Sequence, residues 1–170
     1  AGLAVCTALK EDFGINAGIK WPNDIVVDGK KICGILTEMS GQMQKVDFVV
    51  VGIGINVNNE SFPEEIQYKA SSIYLLSGKK FKRSSIAKAV LNRFDKIYNI
   101  FEKEGFKPFK EEYETNCINI GKRVRVIKHG DESYEALAVG INDDGELTVK
   151  KDNGEITDVF SGEVSIRGVY

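Results

Sequence analysis

The apolar positions of three segments recur at helical spacing, and these segments are predicted to be helices: residues 2–9, 84–104 and 108–116. Gly14 and Gly105 follow the first and second segments, where glycine commonly terminates a helix. Ser84 or Ser85 is predicted to cap the start of the longest helix, because a serine oxygen can accept a hydrogen bond from a free backbone N–H. Residues 62–76 have a shorter helical pattern, and the longer patterns elsewhere are of the strand type.

A hairpin signal, Asp28–Gly29, lies between β-capable residues and is followed by two longer strand patterns, at residues 32–39 and 46–58. Gly41 and Gln42 are predicted to form the turn between these two strands. The second pattern, VDFVVVGIGINVN, is continuously apolar and rich in β-branched residues. It predicts a central strand that is buried on both faces.

Short strands separated by Asp-Gly, Asn-Gly and Ser-Gly turns occupy the end of the chain, at residues 122–127, 135–141, 146–150, 156–159 and 164–167. Regular short strands with such turns indicate a small β-barrel. We therefore divide the chain into residues 1–118 and residues 119–170. The first part is predicted to be α/β (α+β), with a mixed sheet flanked by helices.

Composition and charge narrow the classes of function. The chain is 42% hydrophobic and 28% charged, with a net charge of −2, so no overall basic field argues for nucleic-acid binding. It has no apolar run that could span a bilayer and no signal-peptide pattern. The three cysteines and one histidine match no metal motif, and a reducing cytoplasm is expected. The sequence starts within a helical pattern and without Met, which predicts a piece of a longer protein.

Three motifs carry the candidate chemistry: KWPND at residues 20–24, KICGILTE at 31–38 and GIGINVN at 52–58. Each is weak alone, and GIGIN lacks the spacing of a dinucleotide-binding loop. In this order, and followed by a small barrel, they resemble the biotin–protein ligases over essentially the whole chain. The resemblance implies a fold related to class II synthetases, with a C-terminal SH3-like barrel.

The resemblance also implies a reaction and partners. Biotin and ATP, with Mg²⁺, are expected to give biotinyl-AMP, from which biotin passes to a lysine of a biotin carboxyl carrier domain. A homodimer is expected, with no membrane contact and no DNA contact by this part. The family's GRGRxGR loop is absent from the 170 residues, so these residues alone are expected to be inactive. The alternatives are the sensor and dimerisation part of a biotin-responsive repressor, or a remnant that binds without catalysis.

Lys31 is the candidate catalytic residue, since both implied steps develop negative charge that a fixed cation stabilises. Spacing alone would favour a solvated lysine beside a hairpin. The expected binding residues for biotin or the adenylate are Lys31 itself, Asn23, Gly34, Leu36, Gly52, Gly54, Asn56 and Arg167. The glycines would let a ligand lie against the strands, although close packing would explain them equally well without the resemblance.

The polar candidates also have ordinary explanations. Asn23 and Asn56 could form Asx turns, and Asp24 is a less certain ligand-side candidate. Arg167 could bind phosphate or carboxylate through its planar guanidinium, or form a surface ion pair. Lys20 is expected either to add positive potential near the phosphates or to lie at the surface. Trp21 is expected to pack in the core. No protein-held metal site is expected.

Overall fold

The structure is a computed structural model of the 170-residue chain. It describes the backbone of residues 1–42, 45–128, 133–160 and 164–167, and the side chains of residues 1–41, 46–127 and 133–160. The helices are α1 (Gly2–Phe13), α2 (Ile73–Ser77), α3 (Arg83–Glu104) and α4 (Lys110–Asn116), with a 3₁₀ turn at Lys107–Phe109. The strands are β1 (Gly18–Lys20), β2 (Asp24–Val27), β3 (Lys30–Gln42), β4 (Lys45–Ile55), β5 (Arg123–Lys128), β6 (Ser133–Ile141), β7 (Leu147–Lys151), β8 (Ile156–Val159) and β9 (Val164–Arg167).

The first sheet has the order β1-β2-β3-β4, and each neighbouring pair is antiparallel. The predicted hairpin joins β2 to β3. Both of its turn residues have positive φ, 49° at Asp28 and 75° at Gly29, which is the backbone of a type I′ turn. Parallel pairing among the described residues is limited to two isolated bridges, Ile19 with Cys117 and Lys31 with Ala70. The α/β fold class is confirmed, but the prediction of a mixed sheet was wrong, because all neighbouring strands of the first sheet are antiparallel.

Helix α1 supplies the core that supports this sheet. Its residues from Leu3 to Leu9 are all buried, and the helix contacts β1, β2 and α3. It ends as predicted at Gly14, whose φ of 68° is the left-handed conformation that glycine adopts without steric cost. One face of the sheet is therefore covered by a helix, and the opposite face is available for other contacts.

The prediction for β4 was wrong in one respect. The strand forms, but it pairs only with β3 among the described residues, so it lies at the edge of the sheet rather than at its centre. Val46, Phe48, Val49 and Val50 are each about half exposed. An apolar β-branched run favours burial of the strand. The pattern does not indicate which segment of the protein covers it.

Two local predictions were also wrong. Gly41 and Gln42 belong to β3, because the ladder with β4 continues to the pair of Gln42 with Lys45. Helix α3 begins at Arg83, and Lys82 occupies the cap position without a side-chain cap bond, so neither Ser84 nor Ser85 caps it. Its predicted end at Gly105 is confirmed.

The second sheet has the order β8-β7-β6-β5-β9, with antiparallel neighbours throughout. All five predicted strands are present, and their inward residues form the buried centre: Val124, Val126, Ala136, Ala138, Leu147 and Val149. The boundary between residues 118 and 119 lies in the connection from α4 to β5, and it stays a prediction. No helix in the described part of the chain is long and apolar enough to cross a membrane.

Substituting Leu9 tests the role of α1. Leu9 is completely buried, so Leu9→Ala removes packed methyl groups and leaves a cavity. We expect the free energy of unfolding to fall by about 2–5 kcal/mol in denaturant titrations. Leu91→Ala in α3 is the matched control, because Leu91 is 63% exposed and surface substitutions change stability by less than about 0.5 kcal/mol. Equal losses for the two variants would contradict this view of the core.

Candidate active site

The open face of the first sheet brings together most of the residues that the motifs single out. Asp24, Gly34 and Gly54 pair across β2, β3 and β4, and Leu36 pairs with Gly52 in the next row. Because side chains alternate between the faces of a strand, Gly34 and Leu36 share one face of β3. Ile35, which lies between them, is buried on the opposite face, near Gly2 of α1. The result is a strip of sheet with very few side-chain atoms above it.

The surroundings of Gly52 and Gly54 do not require a glycine at either position. Neither has a positive φ. A Cβ atom added at Gly52 would lie 3.7 Å from the Leu36 carbonyl oxygen, and one added at Gly54 would lie 3.7 Å from that of Gly34, both ordinary contact distances. Close packing among the described residues therefore does not explain these glycines. Their effect is to leave the backbone of β4 accessible to a group lying on the strip.

Gly34 has a different role, because the side chain of Lys31 passes over it. A Cβ atom at this position would lie 3.0 Å from both Cε and Nζ of Lys31. That separation is tighter than ordinary carbon contacts, so any larger residue would push the ammonium away. The glycine in KICGIL thus determines where the Lys31 charge can rest.

The Lys31 ammonium lies 2.5 Å from Oδ1 of Asp24, and both side chains are partly exposed, at 44% and 20%. The main chain of Lys31 is fixed by a distant segment: its N–H donates to the Lys69 carbonyl at 2.8 Å, and its carbonyl accepts from Ser71 N–H at 3.0 Å. A flexible cation on an anchored backbone can exchange one anionic partner for another. A carboxylate or phosphate that reaches Lys31 competes directly with Asp24.

Both asparagine amides are engaged with the main chain. The Asn23 side chain donates to the Ile35 carbonyl at 2.8 Å, and the Asn23 carbonyl accepts from Ile35 N–H at 2.9 Å. The Asn56 side chain donates to the Ser71 carbonyl at 3.1 Å. Asn56 therefore holds the segment that anchors Lys31. These bonds give the two residues positioning roles beside any contact with a ligand.

Leu36 is 61% exposed and offers an apolar surface beside the glycine strip. It also lines a cleft of about 600 Å³, which Pro22 and Asn23 border on one side and barrel residues Asp144 and Gly145 border on the other. Small-molecule sites usually enclose about 300–1,000 Å³. A second, apolar cleft of about 360 Å³ lies on the helix side, where Val49 and Val51 face α3. It contains none of the predicted site residues.

Three other predictions have different outcomes. Trp21 is buried, as expected, with 3% of its surface exposed. Lys20 is 4% exposed and has interaction partners, so the surface alternative was wrong. It lies in β1 opposite Asp24, in the same cross-strand row as Gly34 and Gly54. Arg167 lies in β9 opposite Arg125, and its side chain is outside the described residues.

The comparisons with known proteins agree with this geometry. Residues 1–56 match the family model described as the biotin/lipoate A/B protein ligase family, and residues 120–167 match the biotin protein ligase C terminal domain. Over 98% of this chain, the structure of the Aquifex aeolicus biotin protein ligase in complex with biotin and ATP superposes with a TM-score of 0.85 at 35% identity, covering 68% of that chain. This chain belongs to the biotin–protein ligase family.

Curated relatives within the biotin–protein ligase family are longer than this chain. The bifunctional ligase/repressor BirA of Bacillus subtilis is 36% identical over 98% of this chain, and 51% of that protein is covered. The biotin–[acetyl-CoA-carboxylase] ligase of Mycobacterium tuberculosis is 32% identical over 96% of this chain, with 59% of its own length covered. The chain thus spans about half the length of the curated relatives that it matches.

The sequence motifs did not reveal three features of this ligase-family site. The ion pair of Lys31 with Asp24 depends on the register of the β2–β3 hairpin. The anchoring of Lys31 by residues 69–71 depends on how distant segments meet. The border that Asp144 and Gly145 form on the cleft depends on how the barrel docks. Among the residues with described side chains, no group of three or more His, Cys, Asp or Glu is arranged to hold a metal ion.

The cysteines of the ligase-family chain are free and buried, and burial is the main reason that their pKa values rise. The pKa reaches about 12 at Cys33, next to Gly34, and about 11 at Cys6. A raised pKa keeps a thiol neutral at physiological pH, and the thiolate is the nucleophilic form. Cys33 is therefore excluded as a nucleophile, although it lies beside the candidate site.

Alkylation with iodoacetamide tests the state of these thiols. At pH 8 we expect the native chain to react slowly at Cys6, Cys33 and Cys117, because burial both shields them and holds their pKa values above the ordinary 9.0. Unfolding in urea should make all three react. Ser84→Cys supplies an exposed thiol as the internal control. Rapid labelling of Cys33 in the folded protein, measured by peptide mass spectrometry, would contradict the burial argument.

Proposed function

We propose that the protein containing this chain attaches biotin to a lysine of a biotin carboxyl carrier domain, with biotinyl-AMP as the intermediate. The observation that carries the proposal is the position of Lys31, whose ammonium lies across Gly34 at the end of an open glycine strip. The first step joins a biotin carboxylate oxygen to the α-phosphorus of ATP and releases pyrophosphate. In the second step, the carrier lysine amine attacks the acyl carbon and AMP leaves.

Both steps concentrate negative charge at the junction of carboxylate and phosphate. Lys31 has a flexible cationic side chain on an anchored backbone at the strip. Its compact charge can stabilise the oxygens of the carboxylate and the phosphoryl group without further reorganisation of the backbone. Asp24 holds the ammonium near this position before an anion arrives, and it becomes the competing partner once one does.

The apolar and glycine residues fit the other part of the ligand. The exposed side of Leu36 can cover the rings of biotin, and the bare backbone at Gly52 and Gly54 lets them approach β4. The 170 residues contain no glycine–arginine loop, so we propose that adenylation also requires residues outside this chain. Mg²⁺ is proposed to arrive with ATP, and the location is proposed to be cytoplasmic.

A second candidate function is biotin-dependent repression. The name of the Bacillus subtilis relative joins ligase and repressor. In such a protein, this chain would supply the biotin-sensing and dimerising part, and we propose no DNA contact by the described residues. Binding of operator DNA by the full-length protein, measured by gel shift with and without biotin, distinguishes a ligase that also represses from a ligase alone.

Replacing Lys31 tests the catalytic role. In the full-length protein, Lys31→Ala removes the cation from the strip and should slow pyrophosphate release from biotin and ATP by ~10²–10³-fold. The thermal midpoint should change little, because Lys31 and Asp24 are both partly exposed. Pyrophosphate release and thermal unfolding are measured on the same preparations.

Lys30→Ala is the matched control for Lys31→Ala. Lys30 pairs with Val27 next to the hairpin, and successive side chains on a strand point to opposite faces. Its removal should leave the rate within about twofold of the wild type, as for a surface residue without a specific partner. If both variants lose activity equally, or if neither does, then Lys31 is not the catalytic cation.

Homodimer formation is the proposed assembly, and the free edge of β4 supports it. Unpaired strand edges with exposed apolar residues favour association. We expect light scattering to show that the wild-type chain forms dimers or larger assemblies at high concentration. Phe48→Lys, at an edge position that is 57% exposed, should reduce the mass. Leu91→Lys on α3 is the control at 63% exposure. A strict monomer for the wild-type chain would disprove this prediction.

A further inference from the structure

The contact between the barrel and the KWPND turn includes a buried hydrogen bond between the Asn119 side chain and the Trp21 backbone. Asn119, at the entrance to the barrel, is completely buried, and its Oδ1 accepts a hydrogen bond from the Trp21 backbone N–H at 2.8 Å. These two residues are 98 positions apart in the sequence. Just before Asn119, the N–H of Ile118 donates to the Ile19 carbonyl at 2.8 Å, so the connection runs alongside β1. The Asn119 oxygen extends this main-chain pairing by one bond.

Packing alone does not explain an asparagine at this position. Among the residues with described side chains, no group accepts a hydrogen bond from Asn119 Nδ2. A buried amide whose NH2 group has no hydrogen-bond partner is less favourable than an apolar side chain of similar size. The orientation of the amide is set by the Trp21 N–H, which can only donate and therefore requires the oxygen. The asparagine is accounted for by the bond to Trp21.

The Trp21 side chain makes a second contact with the barrel. Its indole Nε1–H donates to the Gly145 carbonyl at 3.0 Å. Gly145 lies in the turn between β6 and β7, and that turn is held from other directions as well. Glu114 in α4 accepts from Ile141 N–H at 2.7 Å, and the ring of Phe106 would lie 3.5 Å from a Cβ at Gly145. The turn is therefore a fixed support for the Trp21 ring.

The other end of the KWPND turn contacts the candidate site. Two residues after Trp21, Asn23 is bonded in both directions to Ile35 of β3, and Asp24 follows with its carboxylate on Lys31. A shift of the Trp21 backbone therefore moves Asn23 and Asp24 relative to β3. Small displacements of groups around a reacting centre reduce rates strongly, because the reaction depends on the alignment of those groups.

We propose that Asn119 is a positioning residue, which through Trp21 uses the barrel to fix the Asn23–Asp24 end of the site. Asn119 itself touches no ligand. The proposal rests on the ligase function for its kinetic consequence, whereas its structural consequence can be measured without any activity.

The test uses the full-length protein with two substitutions that break different bonds of this path. Asn119→Leu removes the acceptor for Trp21 N–H, and Trp21→Phe removes the indole donor to Gly145 while keeping an aromatic ring. Each should lower kcat/KM for biotin in pyrophosphate release by about 10- to 100-fold. Each should also speed hydrogen exchange in peptides that cover residues 19–36. Val90→Ala, which removes buried methyl groups in α3, is the control for lost stability alone.

The outcomes separate the possibilities. Loss of kcat/KM with faster exchange at residues 19–36, in both variants but not in Val90→Ala, supports the proposal. If the two variants match Val90→Ala, losing thermal stability but keeping wild-type kinetics and exchange at residues 19–36, the proposal is wrong. Should Asn119→Leu fail to fold, Asn119→Ala, which removes the same acceptor with a smaller side chain, takes its place in the comparison. If the wild type releases no pyrophosphate, the ligase function fails, while hydrogen exchange still decides whether Asn119 fixes the turn.

Discussion

The register between β2 and β3 determines which side chains meet on the open face of the first sheet. The type I′ turn at Asp28–Gly29 sets the first two pairs of this ladder, and a one-residue register shift between Val26 and Ile25 then places Asp24 opposite Gly34. A slip of one residue would move every side chain of a strand to the other face. Asp24 would then point toward α1, and the bulky side chains that now pack on α1 would cover the glycine strip. The candidate site thus depends on one tight turn together with the register shift that follows it.

A second dependence is the anchoring of Lys31 by chain segments far from it in sequence. Residues 69–71 pair with the Lys31 backbone, and Asn56 holds that segment through the Ser71 carbonyl. Backbone bonds fix where the side chain starts, while the bare surface of Gly34 leaves room for its end. A lysine with a fixed backbone and a movable ammonium is suited to a site where the anionic partner changes during the reaction.

Much of the fold could be predicted from the sequence, because the turn signals and apolar periods are local. The hairpin, the ends of α1 and α3 at glycine, and the five barrel strands follow from such signals. The edge position of β4 and the burial of Lys20 could not be predicted in this way, since both depend on which segments pack together. For the site, the motifs indicated the residues themselves. The partner of Lys31 emerges only from the pairing of β2 with β3. The contribution of Asp144 and Gly145 emerges only when the barrel is placed beside the first sheet.

The position of Trp21 has an optical consequence. It is the single tryptophan among these 170 residues, and its indole lies buried between the first sheet and the barrel, with its N–H on a main-chain carbonyl. The emission colour of an indole depends on the polarity and hydrogen bonding around it. Within this chain, tryptophan fluorescence therefore originates at one place, the seam between the two sheets, and changes in that signal report on how the barrel is seated rather than on the chain as a whole.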